Sequence, residues 1–273
     1  MTVPEFRARK GVGRPLVCVT AYDAAFARLA ERAGVDALLV GDSVGRTLLG
    51  FENELPVRVD DIVHHAAAVS RAITSTLVIA DLPYMSYPTR DTALRNAARL
   101  LQAGGATAVK LEGGRETAEV TQALSSRGFP VMAHVGLTPQ TAHALGGYRV
   151  QGVRLSAAQA IVDGARAQAD AGAFAIVLEL LPAGLARAMT QHLVIPTIGI
   201  GAGPHCDGQI QVLHDLLGFV ETAHRHTRVF ADVAGLAESA LADYARDVRH
   251  GVFPAPEQNF KGNRGVLDRL KFD

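Results

Sequence analysis

The chain has 273 residues, 48% of them apolar and 20% charged, and its 27 basic and 27 acidic residues give a formal net charge of zero. The length suits one eightfold α/β barrel or two smaller domains, with apolar material enough for a large buried core. There is no basic excess to grip a nucleic-acid backbone, no apolar run of the roughly 18 residues that span a bilayer, and no apolar signal core after the charged stretch Met1 to Lys10, so a cytoplasmic protein without nucleic-acid or membrane partners is expected.

The first β-rich run is Leu16 to Thr20, and Cys18 within it reads as a buried, inert thiol rather than half of a disulfide with Cys206. A helical stretch, Ala24 to Arg32, follows and stops at Gly34. The second run is Ala37 to Val40. After a loop, Asp60 to Ile73 has helical periodicity with Asp60 placed as N-cap. The third run, Leu77 to Ala80, leads to a helix from Thr89 to Ala103, capped by Thr89 and closed by Gly104-Gly105. The fourth run is Ala108 to Leu111, with a helix from about Glu116 to Ser125. The fifth is Val131 to Ala133, and a longer connection occupies Thr138 to Leu155. Ser156 to Ala171 is helical and ends at Gly172. The sixth run is Ala175 to Leu178, followed by a short helix at Gly184 to Gln191, and the seventh is Thr197 to Ile200. Ile210 to Leu217 is expected to hold the eighth strand or a turn near it, and Ala231 to Arg249 a final helix.

Strands alternating with helices imply parallel pairing through right-handed crossovers. Seven or eight such units favour a closed (β/α)8 TIM barrel, one domain over 1–273, against an open doubly wound sheet. The tail from about Gly251 is rich in Pro, Gly and charge, and is expected to be extended or to pack on a neighbour.

In such a barrel the reactive groups gather at the C-terminal ends of the strands. This sequence puts Asp42-Ser43 after the second strand, Asp81 after the third, Lys110 and Glu112 on the fourth, His134 on the fifth and Glu179 on the sixth. Gly199 to Gly203 follows the seventh. Each has a bland reading: an aspartate after a strand is often a helix cap or turn former, Lys110 and Glu112 could be a simple ion pair, and Glu179 could sit at the N-terminus of the following helix. Barrel closure would bring all of them to one mouth. Lys110 and Glu112, two apart on one strand, point to the same face. Asp42, Asp81 and Glu112 would repel one another unless a hard divalent cation such as magnesium or manganese joined them. Glu179, after an apolar strand, is expected to have its pKa raised by desolvation and to serve as a general acid–base. The Gly199 to Gly203 turn, with no Lys or Arg beside it, is expected to let backbone approach a flat ligand.

In family order the chain carries Thr20-Ala21-Tyr22-Asp23, Val40-Gly41-Asp42-Ser43, Ala80-Asp81-Leu82-Pro83, Val109 to Gly114, His134 to Gln140, Gly146 to Gly152, Leu178-Glu179-Leu180, and Ile198 to Gly203 with Asp207-Gly208-Gln209. Together these resemble the ketopantoate hydroxymethyltransferase (3-methyl-2-oxobutanoate hydroxymethyltransferase) family. The resemblance implies hydroxymethyl transfer from 5,10-methylenetetrahydrofolate to 3-methyl-2-oxobutanoate, giving 2-dehydropantoate for pantothenate and coenzyme A synthesis. It also implies Mg2+ dependence and a homo-oligomer, often a decamer. By motif match, Asp42 and Asp81 would bind the metal with Glu112 in the same shell. Asp42, Ser43, Asp81 and Lys110 would contact the 2-oxo acid, Glu179 would accept a proton, and His134 would line the site. Thr222 to Arg228 and the tail around Pro256 to Phe260 depart from the family pattern. A magnesium-dependent lyase or mutase on small 2-oxo acids, or a catalytically silent assembly barrel, are the competing readings. The silent barrel predicts lost site residues, and none is lost.

Overall fold

The computed structural model describes residues 1–219 and 225–272, so Thr222, Ala223 and His224 of the divergent segment lie outside the described residues. Eight parallel strands close a barrel in sequence order: β1 (Leu16–Thr20), β2 (Ala37–Val40), β3 (Leu77–Asp81), β4 (Ala108–Glu112), β5 (Val131–Gly136), β6 (Ala175–Glu179), β7 (Thr197–Ile200) and β8 (Gly208–Gln211). β8 returns to β1 with Leu16 opposite Gly208.

The first seven strands fall where the apolar runs place them. The eighth is a correction: it is Gly208–Gln211, overlapping the expected Ile210 to Leu217 only at its start, and Leu213–Leu216 is a turn of helix. The reason is steric and local. A Cβ at Gly208 would lie 2.5 Å from the Leu16 carbonyl oxygen, so only glycine lets this strand approach β1. A second correction concerns the helix over Val59–Ser70, whose N-cap is Arg58 rather than Asp60; Asp61 accepts from the Arg58 backbone N–H instead. Thr89 caps Arg90–Gln102 as expected, accepting from the Thr92 N–H. Both cysteines are buried and unpaired, and burial pushes the Cys18 thiol up.

Side chains alternate in and out along each strand. Leu16, Leu39, Ile79, Met132, Val177 and Ile210 face one another inside the barrel, whereas Val19, Leu38, Val78, Val109 and Leu111 pack outward against the helices. A short N-terminal helix, Val3–Arg7, was not evident from periodicity. It drops Phe6 into the bottom of the barrel, edge-on to Phe174 at 5.7 Å.

Asp207 closes the same end. Its carboxylate accepts from Lys10 Nζ at 2.8 Å, Gly11 N at 3.1 Å, Thr197 N at 2.8 Å and Thr197 Oγ1 at 3.0 Å. These bonds tie the N-terminal segment to the start of β7 beside β8, and burial is outweighed by the Lys10 partner, which holds the carboxyl below its ordinary value. Asp207→Ala removes the only carboxylate among the described residues within reach of Lys10, which keeps the Thr190 carbonyl, and leaves two N–H groups unmatched, so it is expected to cost about 2–4 kcal/mol. Urea denaturation would show this as a lower midpoint at unchanged slope; an unchanged midpoint would mean this junction does not hold the barrel closed.

Candidate active site

The C-terminal ends of the strands open into a cavity of about 410 Å³. Asp42, Ser43, Asp81, Lys110, Glu112, His134 and Glu179 all line it, so every polar residue singled out from the strand ends reaches one chamber, whereas of the Gly199 to Gly203 turn only Ile200 does. Inward alternation explains most of this: Asp81, Lys110, His134 and Glu179 stand two positions beyond the interior residues Ile79, Ala108, Met132 and Val177, and Glu112 two beyond Lys110. Asp42 and Ser43 follow β2 on the turn into a short helix at Val44–Thr47. Gly41 makes room for them, since a Cβ there would meet Ser43 Oγ at 3.1 Å and Asp81 Oδ2 at 3.3 Å.

The contacts distinguish the bland readings from the functional ones. Lys110 Nζ donates to Asp81 Oδ1 at 2.6 Å and stands 3.8 Å from Glu112 Oε1, so its main partner is on the neighbouring strand. Asp81 Oδ2 accepts from the Asp42 backbone N–H at 3.1 Å. Asp42 is not a helix cap: its Oδ2 accepts from Gln140 Nε2 at 2.8 Å, across 98 residues of sequence. Ser43 Oγ lies 2.7 Å from Tyr22 Oη. Glu179 does not cap the following helix but turns to His134, Oε2 to Nε2 at 3.2 Å, with 13% of its side chain exposed. His134 Nδ1 is 3.4 Å from Glu112 Oε1, and neither ring nitrogen meets the angle of a proper hydrogen bond. Leu180, just after Glu179, has φ of +46°, a left-handed conformation unusual for a branched side chain and typical of strained functional turns.

The charges are buried and unequal. Three buried carboxylates, Asp42, Asp81 and Glu112, face two cations, Lys110 and His134, with Glu179 adding a further negative charge at the rim. Burial and the Asp81 and Glu112 charges push the Asp42 carboxyl well above its ordinary value, against the opposing Lys110 and Gln140. Burial likewise raises Asp81, although Lys110 pulls it back. For Lys110 burial favours the neutral amine, but the Asp81, Glu112 and Asp42 charges outweigh it and hold the ammonium firmly protonated. Burial would lift Glu112, yet His134 and Lys110 bring it below the usual range. His134, which burial alone would depress, is pushed up to about 9 by Glu112 and Glu179.

That surplus of negative charge is what a hard cation would relieve. Among the described residues, no group of three or more His, Cys, Asp or Glu side chains is arranged to hold one ion. Glu112 is instead turned to His134 and to the Gln140 N–H, 3.1 Å from its Oε2. Asp42 and Asp81, linked through the Asp42 N–H to Asp81 Oδ2 and crowded with like charge, are the pair whose carboxylate oxygens would suit a cation completed by water and substrate oxygens, the usual mode for magnesium.

Several residues at the site carried no assigned role from sequence. Gln140 and Tyr87 join the acidic cluster, with Tyr87 Oη 2.6 Å from Gln140 Oε1. At the mouth, the buried Glu54 accepts from Tyr148 Oη at 2.7 Å and faces Arg46 at 3.5 Å, so the segments after β2 and β5 are tied together. Nothing local marks Glu54 beyond a glutamate in a loop, since its burial and its bond to Tyr148, 94 residues along the chain, come from the fold. The Gly199 to Gly203 turn is closely packed. A Cβ at Gly199 would meet Cys206 Sγ at 2.9 Å, at Gly201 Leu180 Cδ2 at 2.6 Å, and at Gly203 Ala183 Cβ at 2.5 Å. These glycines allow close packing of the protein on itself.

The sequence model of the ketopantoate hydroxymethyltransferase family matches residues 1–256. The chain is 50% identical over 260 residues to the 3-methyl-2-oxobutanoate hydroxymethyltransferase of Thermus thermophilus, covering 95% of this chain and 99% of that one. It is 49% identical over 261 residues to the enzyme of the same name from Halorhodospira halophila, covering 96% and 95%. Among solved structures, a phosphonopyruvate hydrolase complex with oxalate and Mg2+ is similar in fold, with a TM-score of 0.63 at 16% identity over 98% of this chain and 94% of the other.

Proposed function

The chain belongs to the ketopantoate hydroxymethyltransferase family, and from that premise we propose that it transfers a hydroxymethyl group from 5,10-methylenetetrahydrofolate to 3-methyl-2-oxobutanoate, forming 2-dehydropantoate on the way to pantothenate. The observation that carries the site assignment is the convergence of Asp42, Asp81, Lys110, Glu112, His134 and Glu179, from five strands, on one cavity.

The reaction needs a proton removed from the carbon beside a ketone, the one-carbon unit of the folate presented to the resulting enolate, and one water, whose oxygen becomes the new hydroxyl as the carbon–nitrogen bonds break and tetrahydrofolate leaves with the proton. Asp42 and Asp81 would hold Mg2+, with Glu112 acting through water. When bound, the ion supplies positive charge at the keto oxygen, where negative charge develops. Lys110 adds a fixed ammonium beside the same carboxylates and meets the substrate carboxylate or keto oxygen. Ser43, held by Tyr22, offers a hydroxyl to the 2-oxo acid. Glu179 takes the C3 proton of 3-methyl-2-oxobutanoate. His134, between Glu179 and Glu112, holds the Glu179 carboxylate in place as an imidazolium. The cavity has room for the small acid and the methylene-bearing end of the folate together, and holding both supplies orientation.

A lyase or mutase acting on 2-oxo acids would use the same acidic residues without a folate. Near-50% identity along almost the whole of named hydroxymethyltransferases favours the transferase. Incubating purified protein with 3-methyl-2-oxobutanoate, methylenetetrahydrofolate and Mg2+ tests it. Consumption of the folate with appearance of 2-dehydropantoate supports the transferase, whereas cleavage or rearrangement of the acid without folate consumption supports the alternative.

We further propose a homo-oligomer. The 17-residue helix Val233–Arg249 has no buried residue, and Leu236, Leu241, Tyr244 and Val248 on it are exposed, as is Phe260 beyond it. Apolar side chains in such number suit a surface covered by further copies. Light scattering on the eluting protein is expected to give a multiple of 28.8 kDa; a monomer at micromolar concentration would contradict this. No described helix is long and apolar enough to cross a membrane.

A further inference from the structure

Gln140 is almost wholly buried, yet it sits on an irregular segment, the 3-10 turn Pro139–Thr141 after β5. A buried amide is costly unless its donors and acceptor are matched. Here all of them are. Nε2 donates to Asp42 Oδ2 at 2.8 Å and to the Leu82 carbonyl at 3.0 Å. Oε1 lies 2.6 Å from Tyr87 Oη, and the backbone N–H donates to Glu112 Oε2 at 3.1 Å. The partners also fix the orientation of the amide, because the reverse would press its oxygen against the Asp42 carboxylate and the Leu82 carbonyl.

One residue thus grips two of the three buried carboxylates with neutral donors. A fixed donor on Asp42 Oδ2 sets the rotation of that carboxylate and so the direction in which Oδ1 points. The backbone N–H does the same for Glu112, whose other oxygen faces His134. Resting on the reading of this cluster as a divalent-cation site, we infer that Gln140 is a positioning residue for the cation: it orients Asp42 and Glu112 without touching ion or substrate. Tyr87 acts one step further out. Its hydroxyl holds the amide and also lies 3.1 Å from the Glu112 carbonyl. Groups that orient metal-binding side chains in this way commonly change metal affinity about 10–100-fold when removed.

A residue that only braced the loop would lower thermal stability and leave cation affinity alone. The test is therefore Mn2+ binding by calorimetry to the full-length protein without substrates, with the metal-free Tm of each variant. Wild type is expected to bind, Gln140→Met to bind about 10–100-fold more weakly while still folded, and Tyr87→Phe to be weakened in the same direction by less. If Gln140→Met does not fold, Tyr87→Phe, which removes a single oxygen, carries the test. A folded Gln140→Met, or failing that Tyr87→Phe, with wild-type Mn2+ affinity overturns the inference and leaves the function untouched. Absence of Mn2+ binding by the wild type overturns the cation site itself, and this inference with it.

Discussion

Lys110→Met is expected to lower turnover by about 10²–10³-fold, the usual loss when one preorganised positive group is removed from a developing oxyanion. It is also expected to destabilise the metal-free protein by about 3–5 kcal/mol, the range seen when one partner of a buried ion pair is deleted. The volume is nearly kept, so the loss is electrostatic. Asp81, 2.6 Å from the ammonium and fully enclosed, would face Asp42 and Glu112 with no lysine charge between them. Mg2+ should therefore raise the Tm of the variant more than that of the wild type, because the ion replaces missing positive charge and binds the folded state alone. Urea denaturation in a chelator and thermal scans with added Mg2+ read the two effects separately. A variant with wild-type turnover, or with an unchanged denaturation midpoint, would remove Lys110 from the account.

Glu179→Gln is expected to cost about 10²–10⁴ in kcat, as losing a general base does, with Mn2+ affinity little changed because Glu179 ends β6 and pairs with His134, whereas Asp42 and Asp81 stand at the ends of β2 and β3. Near-normal turnover with unchanged metal binding would show that Glu179 moves no proton. The same substitution should alter the titration of His134, which Glu112 and Glu179 together hold up at about 9 in the metal-free protein. A histidine raised above its ordinary 6.5 stabilises the fold fully below that value and loses the contribution as pH rises through about 9. Metal-free wild type should thus lose stability across that window. Glu179→Gln, with one carboxylate fewer beside the ring, should begin to lose it at lower pH. Histidine ring NMR titration and Tm against pH measure this directly; identical titrations in the two proteins would mean Glu179 does not act on the imidazole.

The elements that were legible in the sequence were those with a local signature. β1 to β7 are short apolar runs between helices, and each begins where its run begins. β8 is Gly-Gln-Ile-Gln, half polar, and is a strand because Gly208 can lie against Leu16; that is a tertiary fact with no local trace. The helix carrying Phe6 is five residues long, too short for periodicity to register. At the site, position at the strand ends was enough to bring Asp81, Lys110, Glu112, His134 and Glu179 to one mouth, and period two to put Lys110 and Glu112 on one face. It could not show that Lys110 prefers Asp81 to Glu112, because that depends on how neighbouring strands are staggered. Nor could it find Gln140, whose role comes from a turn that returns to the cluster beside Asp42. Asp207 shows the reverse limit: it belongs to a motif shared with the family, yet it fastens the far end of the barrel.

The central claim is that Asp42 and Asp81 hold the cation against which the 2-oxo acid reacts. A crystal structure with Mn2+ and 2-dehydropantoate, the ion located by its anomalous signal, tests it most directly. One ion is expected in the cavity with oxygens of both Asp42 and Asp81 at about 2.0–2.3 Å, the product's oxygens completing its shell, and Lys110 against the product. An ion beyond ligand distance of both aspartates, or product bound outside the cavity, would contradict it.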